Sequence, residues 1–162
     1  MNKTALKVTT PSDLEVVITR VVDAPRGMVF DAHTKPELVR RWLNGLPGWT
    51  FPVCEIDLRV GGKYRYEWRG PEGESMGMGG TFTEVVRPSR IVATQLFDQD
   101  WTGGETIVST DIVEKNGKST ITTTVRYASR EARDAALQTG MSAGMEMSYE
   151  RLDTLLKETV HG

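Results

Sequence analysis

Apolar and polar positions along this chain follow two rhythms, a long two-residue alternation in the middle and a helical one near both ends. Leu14 to Val22, LEVVITRVV, is dense in β-branched residues and predicts a strand. Its alternation is broken, which leaves both facings of Arg20 open. Asp23-Ala24-Pro25 closes it, and Pro25 suits the first turn of a helix. Met28, Val29 and Ala32 then fall at helical spacing. Thr34 with Glu37 three residues later has the pattern of a capping box, with Pro36 in the first turn and Leu38, Trp42 and Leu43 on one side. Two short helices are expected here. The next segment, NGLPGWTFP, reads as a turn-rich loop carrying Trp49 and Phe51.

From Cys54 to Tyr127 the pattern is that of antiparallel strands. In KYRYEWRG, Tyr64, Tyr66 and Trp68 face one way while Lys63, Arg65, Glu67 and Arg69 face the other. GGTFTEVV, RIVATQLFD and ETIVSTDIVE follow, and Asn116-Gly117 suits a type I′ hairpin turn into STITTTVRY. SREARDAAL opens a helical C-terminus that Gly140 breaks or bends, and a main helix is expected from about Met141 to Thr159. The expected fold is α+β: a seven-stranded antiparallel curved sheet around a long C-terminal helix, with two short helices between strands 1 and 2. Residues 1–12 read as a flexible tail, and 13–162 as a single domain.

The last helix is uneven. Its second half presents Leu152, Leu155 and Leu156, and its first half Met141, Gly144, Met145 and Ser148 at the matching positions. A helix of roughly 20 residues is about 30 Å long, and a twisted sheet cannot touch a straight rod along that whole length. Leucines suit the end that packs directly. Methionine, which adapts to irregular surfaces, suits an end that stands off above a gap. Tyr64, Tyr66, Trp68 and Phe82, and less directly Phe97 and Trp101, would supply the aromatic wall. An apolar hollow with a few polar handles is the usual form of a small-molecule site. The plainer reading is that these residues fill a core.

Composition narrows the function classes. The 162 residues are 38% hydrophobic and 26% charged, ordinary for a globular domain, and the net charge is −2. That balance argues against nucleic-acid binding, which needs a basic patch. No apolar run is long enough to span a membrane, and the N-terminus lacks a signal peptide's apolar stretch. With Cys54 as the only cysteine no internal disulfide can form, and a cytoplasmic location is expected.

Several short motifs share their order with a known group: Asp23-Ala24-Pro25, Thr34-x-Pro36-Glu37 and Arg41-Trp42, then D-x-R-V-G-G over Asp57 to Gly62. G-x-F-x-E-V-V-x-P follows from Gly80 to Pro88, and Gly144 precedes SYERLDTLL. In these the chain resembles the activator of heat-shock-protein-90 ATPase homologue-like family of the START-like (SRPBCC) superfamily, over about residues 14–157. The resemblance implies a helix-grip fold with a cavity between sheet and C-terminal helix that takes apolar or amphipathic ligands. It does not imply a reaction, because the superfamily spans lipid carriers, hormone receptors, polyketide cyclases and co-chaperone domains. Where the family often has tryptophan after the helix glycine, this chain has Met145.

Catalytic signatures are thin. Gly73-Glu-Ser-Met-Gly77 formally matches a nucleophile elbow but follows a turn and leads into a strand, and the only downstream histidine is His161. Two histidines and one cysteine far apart do not suggest a metal site, and neither a metal nor a cofactor is expected. His33 reads as a packed or half-exposed side chain, Cys54 as an inert small hydrophobe, and Gly61-Gly62 as a bulge or sharp bend. Asp57 and Arg59 face solvent if Ile56, Leu58 and Val60 take the inner face. Glu84 shares strand parity with Phe82, so it enters the cavity if Phe82 does, with Arg20 a candidate partner; a structural ion pair is the plainer reading.

The leading expectation is a carrier or sensor of a hydrophobic or amphipathic small molecule. Its cavity would be lined by Trp42, Tyr64, Tyr66, Trp68, Phe82, Glu84, Phe97, Met141, Met145, Ser148 and Tyr149. A cyclase or hydrolase would instead use Glu84, Tyr64, Tyr66 or Tyr149 as acid or base. A co-chaperone module would show an exposed apolar patch on the outer sheet or the NGLPGWTFP loop. Exposed aromatics on an edge strand would support a homodimer.

Overall fold

The computed structural model describes residues 6–44, 47–99, 104–139 and 141–161, with the side chains of 141–143 and 159–161 outside that description. Trp101, Gly140 and the side chains of Met141 and His161 therefore lie outside the described residues. Eight strands form one antiparallel sheet. They are β1 (Lys7–Ser12), β2 (Glu15–Val22), β3 (Thr50–Ile56), β4 (Lys63–Arg69), β5 (Ser75–Val86), β6 (Arg90–Phe97), β7 (Thr106–Lys115) and β8 (Lys118–Arg126). The helices are α1 (Arg26–Thr34), α2 (Pro36–Trp42), α3 (Arg130–Leu137) and α4 (Met141–His161).

The eighth strand corrects the expected count of seven. Residues from Lys7 are not a loose tail: β1 pairs antiparallel with β2, Val8 opposite Ile18. Its polar composition and Pro11 hide it, and an edge strand tolerates both because one side of it needs no partner. The sheet order is β1-β2-β8-β7-β6-β5-β4-β3. The strands from β3 to β8 run as a meander, and β8 closes against β2, Arg20 opposite Ile121. The two short helices carry the chain from β2 across to the far edge at β3.

Local signals account for most boundaries. Pro25 stands at the N-cap of α1 and Pro36 in the first turn of α2. The expected capping box is not formed. Thr34 ends α1 and donates its hydroxyl back to Phe30 O at 2.9 Å, leaving Lys35 as the uncapped boundary residue. Ser129 does cap α3, accepting from Ala132 N at 3.1 Å. Asn116 and Gly117 have φ of 56° and 79°, as a type I′ turn requires. Gly61, with φ of 85°, makes the sharp bend before β4 and donates to Phe82 O. Val60 beside it is 63% exposed, so the expected inward row of Ile56, Leu58 and Val60 stops short of it. The segment read as loop before Cys54 is partly strand, because β3 starts at Thr50.

The core lies between the sheet and α4, with α1 and α2 closing one end. On β2 every second residue is buried: Val16, Ile18, Arg20 and Val22. On α4, Tyr149, Leu152, Leu155 and Leu156 are buried against this face. Burying each such large apolar side chain is worth about 1.5–3 kcal/mol. Arg20 thus points inward, and its partner is Asp153 of α4, Nη2 to Oδ2 at 2.5 Å, not Glu84.

Candidate ligand-binding cavity

The C-terminal half of α4 rests on the sheet, and the N-terminal half stands over a cavity of about 760 Å³. Two features open it. On the helix side, Gly144, Met145 and Ser148 occupy the turns before Leu152 and none is buried. On the sheet side, Thr110 of β7 and Thr123 of β8 are direct cross-strand partners and line the floor. The neighbouring inward pair, Ile112 and Ile121, is fully packed. Gly144 and Ser148 on the helix and the two threonines on the sheet thus put short side chains on both sides of the cavity.

Aromatic walls bound it. Trp42 at the end of α2 donates its indole N–H to Ala32 O at 2.8 Å. Trp68 of β4 donates to Leu43 O at 2.7 Å. Each hydrogen bond fixes an indole whose only polar atom would otherwise face an apolar space. Trp49, Met76 and Phe97 continue the wall, and Met145, Met147 and Tyr149 come from the helix. The Trp42 and Tyr149 rings lie 5.7 Å apart.

Of the expected site residues, Trp42, Trp68, Phe97, Met145, Ser148 and Tyr149 meet at this cavity. Tyr64, Tyr66 and Phe82 do not. They are buried in an aromatic stack beside it, Tyr64 being 5.2 Å from Tyr66 and 5.4 Å from Phe82, ring to ring. Tyr64 spends its hydroxyl on Thr94 O at 2.8 Å. Burial pushes both tyrosines' pKa values up, so neither is a ready base. Glu84 is also elsewhere. A bulge shifts the β5 register between Phe82 and Glu84, with Phe82 opposite Ala93 and Glu84 opposite Val92. The extra residue turns Glu84 to the outer face. There Arg90 binds it at 3.1 Å and Asp111 at 2.7 Å. The side chain of Met141 lies outside the described residues.

His33, Leu43, Trp49, Met76, Thr110, Thr123, Thr139, Gly144 and Met147 complete the lining without having been on the expected list. Thr110 and Thr123 carried a weak signal, as threonines flanked by Val108 and Ile112 and by Ile121 and Val125 in their inward rows. Trp49 did not, because loop residues have no periodicity to reveal a facing. That loop turns Trp49 to the cavity and Phe51 into the core, so its aromatics make no outward patch.

The polar groups of the lining are few and uncharged. His33 is half-buried and edge-on to Trp42, with ring centroids 4.8 Å apart. Its Nδ1 lies 2.8 Å from Val29 O; a carbonyl only accepts, so Nδ1 carries the hydrogen. Burial lowers its pKa, against the opposing pull of that hydrogen bond. Burial likewise raises the Tyr149 pKa, opposed by a hydrogen bond with Thr123 and by the Arg20 charge. The Arg20 guanidinium lies 5.8 Å from the Tyr149 ring centroid, paired with Asp153, and does not reach the lining. Among the described residues no group of three or more potential metal ligands occurs. Nor is any helix among them long and apolar enough to cross a membrane. Ser75 opens strand β5 and is exposed, so the formal nucleophile-elbow match has neither the helix nor the setting it needs.

A curved antiparallel sheet holding a long C-terminal helix over a lined hollow defines the START-like helix-grip class. The sequence profile described as "Activator of Hsp90 ATPase homolog 1-like protein" matches residues 23–157, and the chain belongs to that family. A crystal structure of a Rhodobacter sphaeroides protein is 31% identical, with a TM-score of 0.90 over 95% of this chain and 99% of that one. A solution structure from Arthrobacter aurescens is 25% identical, with a TM-score of 0.82 over 96% and 93% of the two chains. A Plasmodium falciparum protein described as an HSP90 activator shares the fold at 19% identity, with a TM-score of 0.63 over 89% and 96%. Comparison with curated protein sequences gives no match.

Proposed function

We propose that the chain is a cytoplasmic binding protein for a small hydrophobic or amphipathic molecule, acting as its carrier or sensor. The observation that carries this reading is the cavity of about 760 Å³ under the first turns of α4. Ligand pockets for drug-sized molecules run from about 300 to 1,000 Å³ and are mostly apolar with a few polar groups. Trp42 and Trp68, held by their indole hydrogen bonds, would give such a ligand flat, rigid walls. The half-exposed methionines would adapt to its shape. Family membership fits this reading without naming a ligand.

A cyclase or hydrolase would need an acid or base aimed into the cavity. Among the described lining residues only His33 and Tyr149 titrate, and burial favours the neutral form of each. The family's description favours a second reading, a co-chaperone-like role toward Hsp90. The two readings separate in one experiment. Nile red fluorescence and native mass spectrometry should report stoichiometric uptake of apolar molecules, and an added purified Hsp90 should neither bind nor compete. No uptake, with saturable Hsp90 binding instead, would reverse the order of the two.

A further inference from the structure

The lining singles out a ligand by what it lacks. Among the described residues that line the cavity there is no lysine, arginine, aspartate or glutamate. Its charged neighbour Arg20 is consumed by Asp153 at 2.5 Å behind the Tyr149 ring. An ionised ligand group would therefore give up its hydration with no counter-charge to meet, which is the costly case for a carboxylate.

His33 offers the lining a ring acceptor of fixed kind. The Nδ1–H of His33 is committed to Val29 O. The other ring nitrogen, Nε2, has no hydrogen-bond partner among the described residues. In the neutral ring this atom is an acceptor and nothing else. Of the lining hydroxyls, Thr139 donates to Ala136 O at 2.7 Å, Tyr149 and Thr123 hydrogen-bond each other, and those of Ser148 and Thr110 can rotate to serve either role. The ring of His33 cannot: its helix-backbone bond and its edge contact with Trp42 hold it. Acceptors whose own hydrogens are already committed, or that have none, discriminate for a ligand that donates to them.

We propose that the cavity selects neutral amphiphiles, an alcohol or phenol on an apolar body, with the ligand hydroxyl donating to His33 Nε2, and that it rejects carboxylates of the same shape. This rests on the cavity being the binding site, and the test keeps the two claims apart. Naphthalene, 2-naphthol and 2-naphthoate share one body and differ only in the polar group. Binding of each to the unsubstituted protein at pH 7.5 is measured by titration of tryptophan fluorescence, with native mass spectrometry for stoichiometry. One well-made neutral hydrogen bond predicts 2-naphthol about tenfold tighter than naphthalene. An unpaired charge predicts 2-naphthoate at least about a hundredfold weaker than 2-naphthol. In His33→Phe the ratio of 2-naphthol to naphthalene affinity should fall to about one. Equal affinity for 2-naphthoate and 2-naphthol overturns the selection for neutral ligands. Equal affinity for naphthalene and 2-naphthol, or an advantage that survives His33→Phe, overturns the His33 seat. Failure of all three to bind removes the cavity reading itself, and this inference with it.

Discussion

Gly144 offers the sharpest test of why the cavity is there. It sits in the helix α4, one turn before Ser148 and two before Leu152, so by helical phase it faces inward. A Cβ built on it meets nothing within 4 Å, and its φ is not in the left-handed region. Neither close packing nor backbone geometry therefore requires a glycine. Its presence costs roughly 0.5–1 kcal/mol relative to alanine inside a helix. Gly144→Ala should return about that much stability. For a chain of this size that is a rise in Tm of about 1–4 °C. Urea unfolding followed by tryptophan fluorescence should show a higher midpoint with an unchanged slope, and Nile red binding should stay within about twofold. Gly144→Phe should fold as well as the parent and lose most Nile red binding, because the ring projects into the hollow. Two results would refute the reasoning: a Gly144→Ala variant that unfolds earlier than the parent, or a Gly144→Phe variant that takes up the probe undiminished.

Three further outcomes follow from individual contacts. Asp153→Ala strands the buried Arg20 guanidinium and should cost about 3 kcal/mol; the double variant Arg20→Met, Asp153→Leu should lie closer to the parent in urea unfolding, and a single variant within about 0.5 kcal/mol of the parent would contradict this. Burial lowers the His33 pKa in the folded protein, so below about pH 6.5 the unfolded chain binds the proton more readily. The stability is then complete above that pH and falls as pH drops toward the folded value, by at most about 1.4 kcal/mol per pH unit. His33→Gln should flatten the decline of urea midpoint between pH 6.5 and 5. Cys54 is buried and its pKa is pushed up to about 11 by desolvation, against the Arg40 charge. A thiol-disulfide reagent at pH 8 should label it far more slowly in the native protein than in urea, and equal rates would show the site to be open.

Much of the architecture was legible because its elements carry strong local chemistry. The β-branched and aromatic rows announce β2 and β4 to β8, the Asn116-Gly117 turn fixes one hairpin, and the leucine row of α4 marks the packed end of the helix. What escaped was non-local. β1 is polar and holds a proline, so only its pairing with β2 makes it a strand. Glu84 went to the wrong face because parity arguments assume an unbroken ladder, and one bulge after Phe82 reverses every later side chain of β5. Tyr64 and Tyr66 point inward as the alternation says, yet they pack on Phe51, Phe82 and each other. Parity tells inside from outside; it does not tell filled from empty. His33 was read as a packed or half-exposed side chain, and it is half-buried; its place in the cavity lining depends on Trp42 and α4, which come from other elements.

The pattern of small residues argues that the space is kept rather than left over. Thr110 and Thr123 face each other across β7 and β8 where Ile112 and Ile121, one pair further along, bury fully. Thr123 also hydrogen-bonds the buried Tyr149 hydroxyl, so the floor position that forgoes apolar burial without such a bond is Thr110, at about 0.8 kcal/mol per methylene left unburied. Gly144 forgoes helix stability on the helix side of the same cavity. Thr110 and Gly144, on separate elements, thus both give up available stability around one cavity, while a turn or two along α4 the leucines are buried. Independent packing shortfalls would scatter. Their convergence on one cavity whose lining includes two anchored indoles is what the proposed ligand site would require.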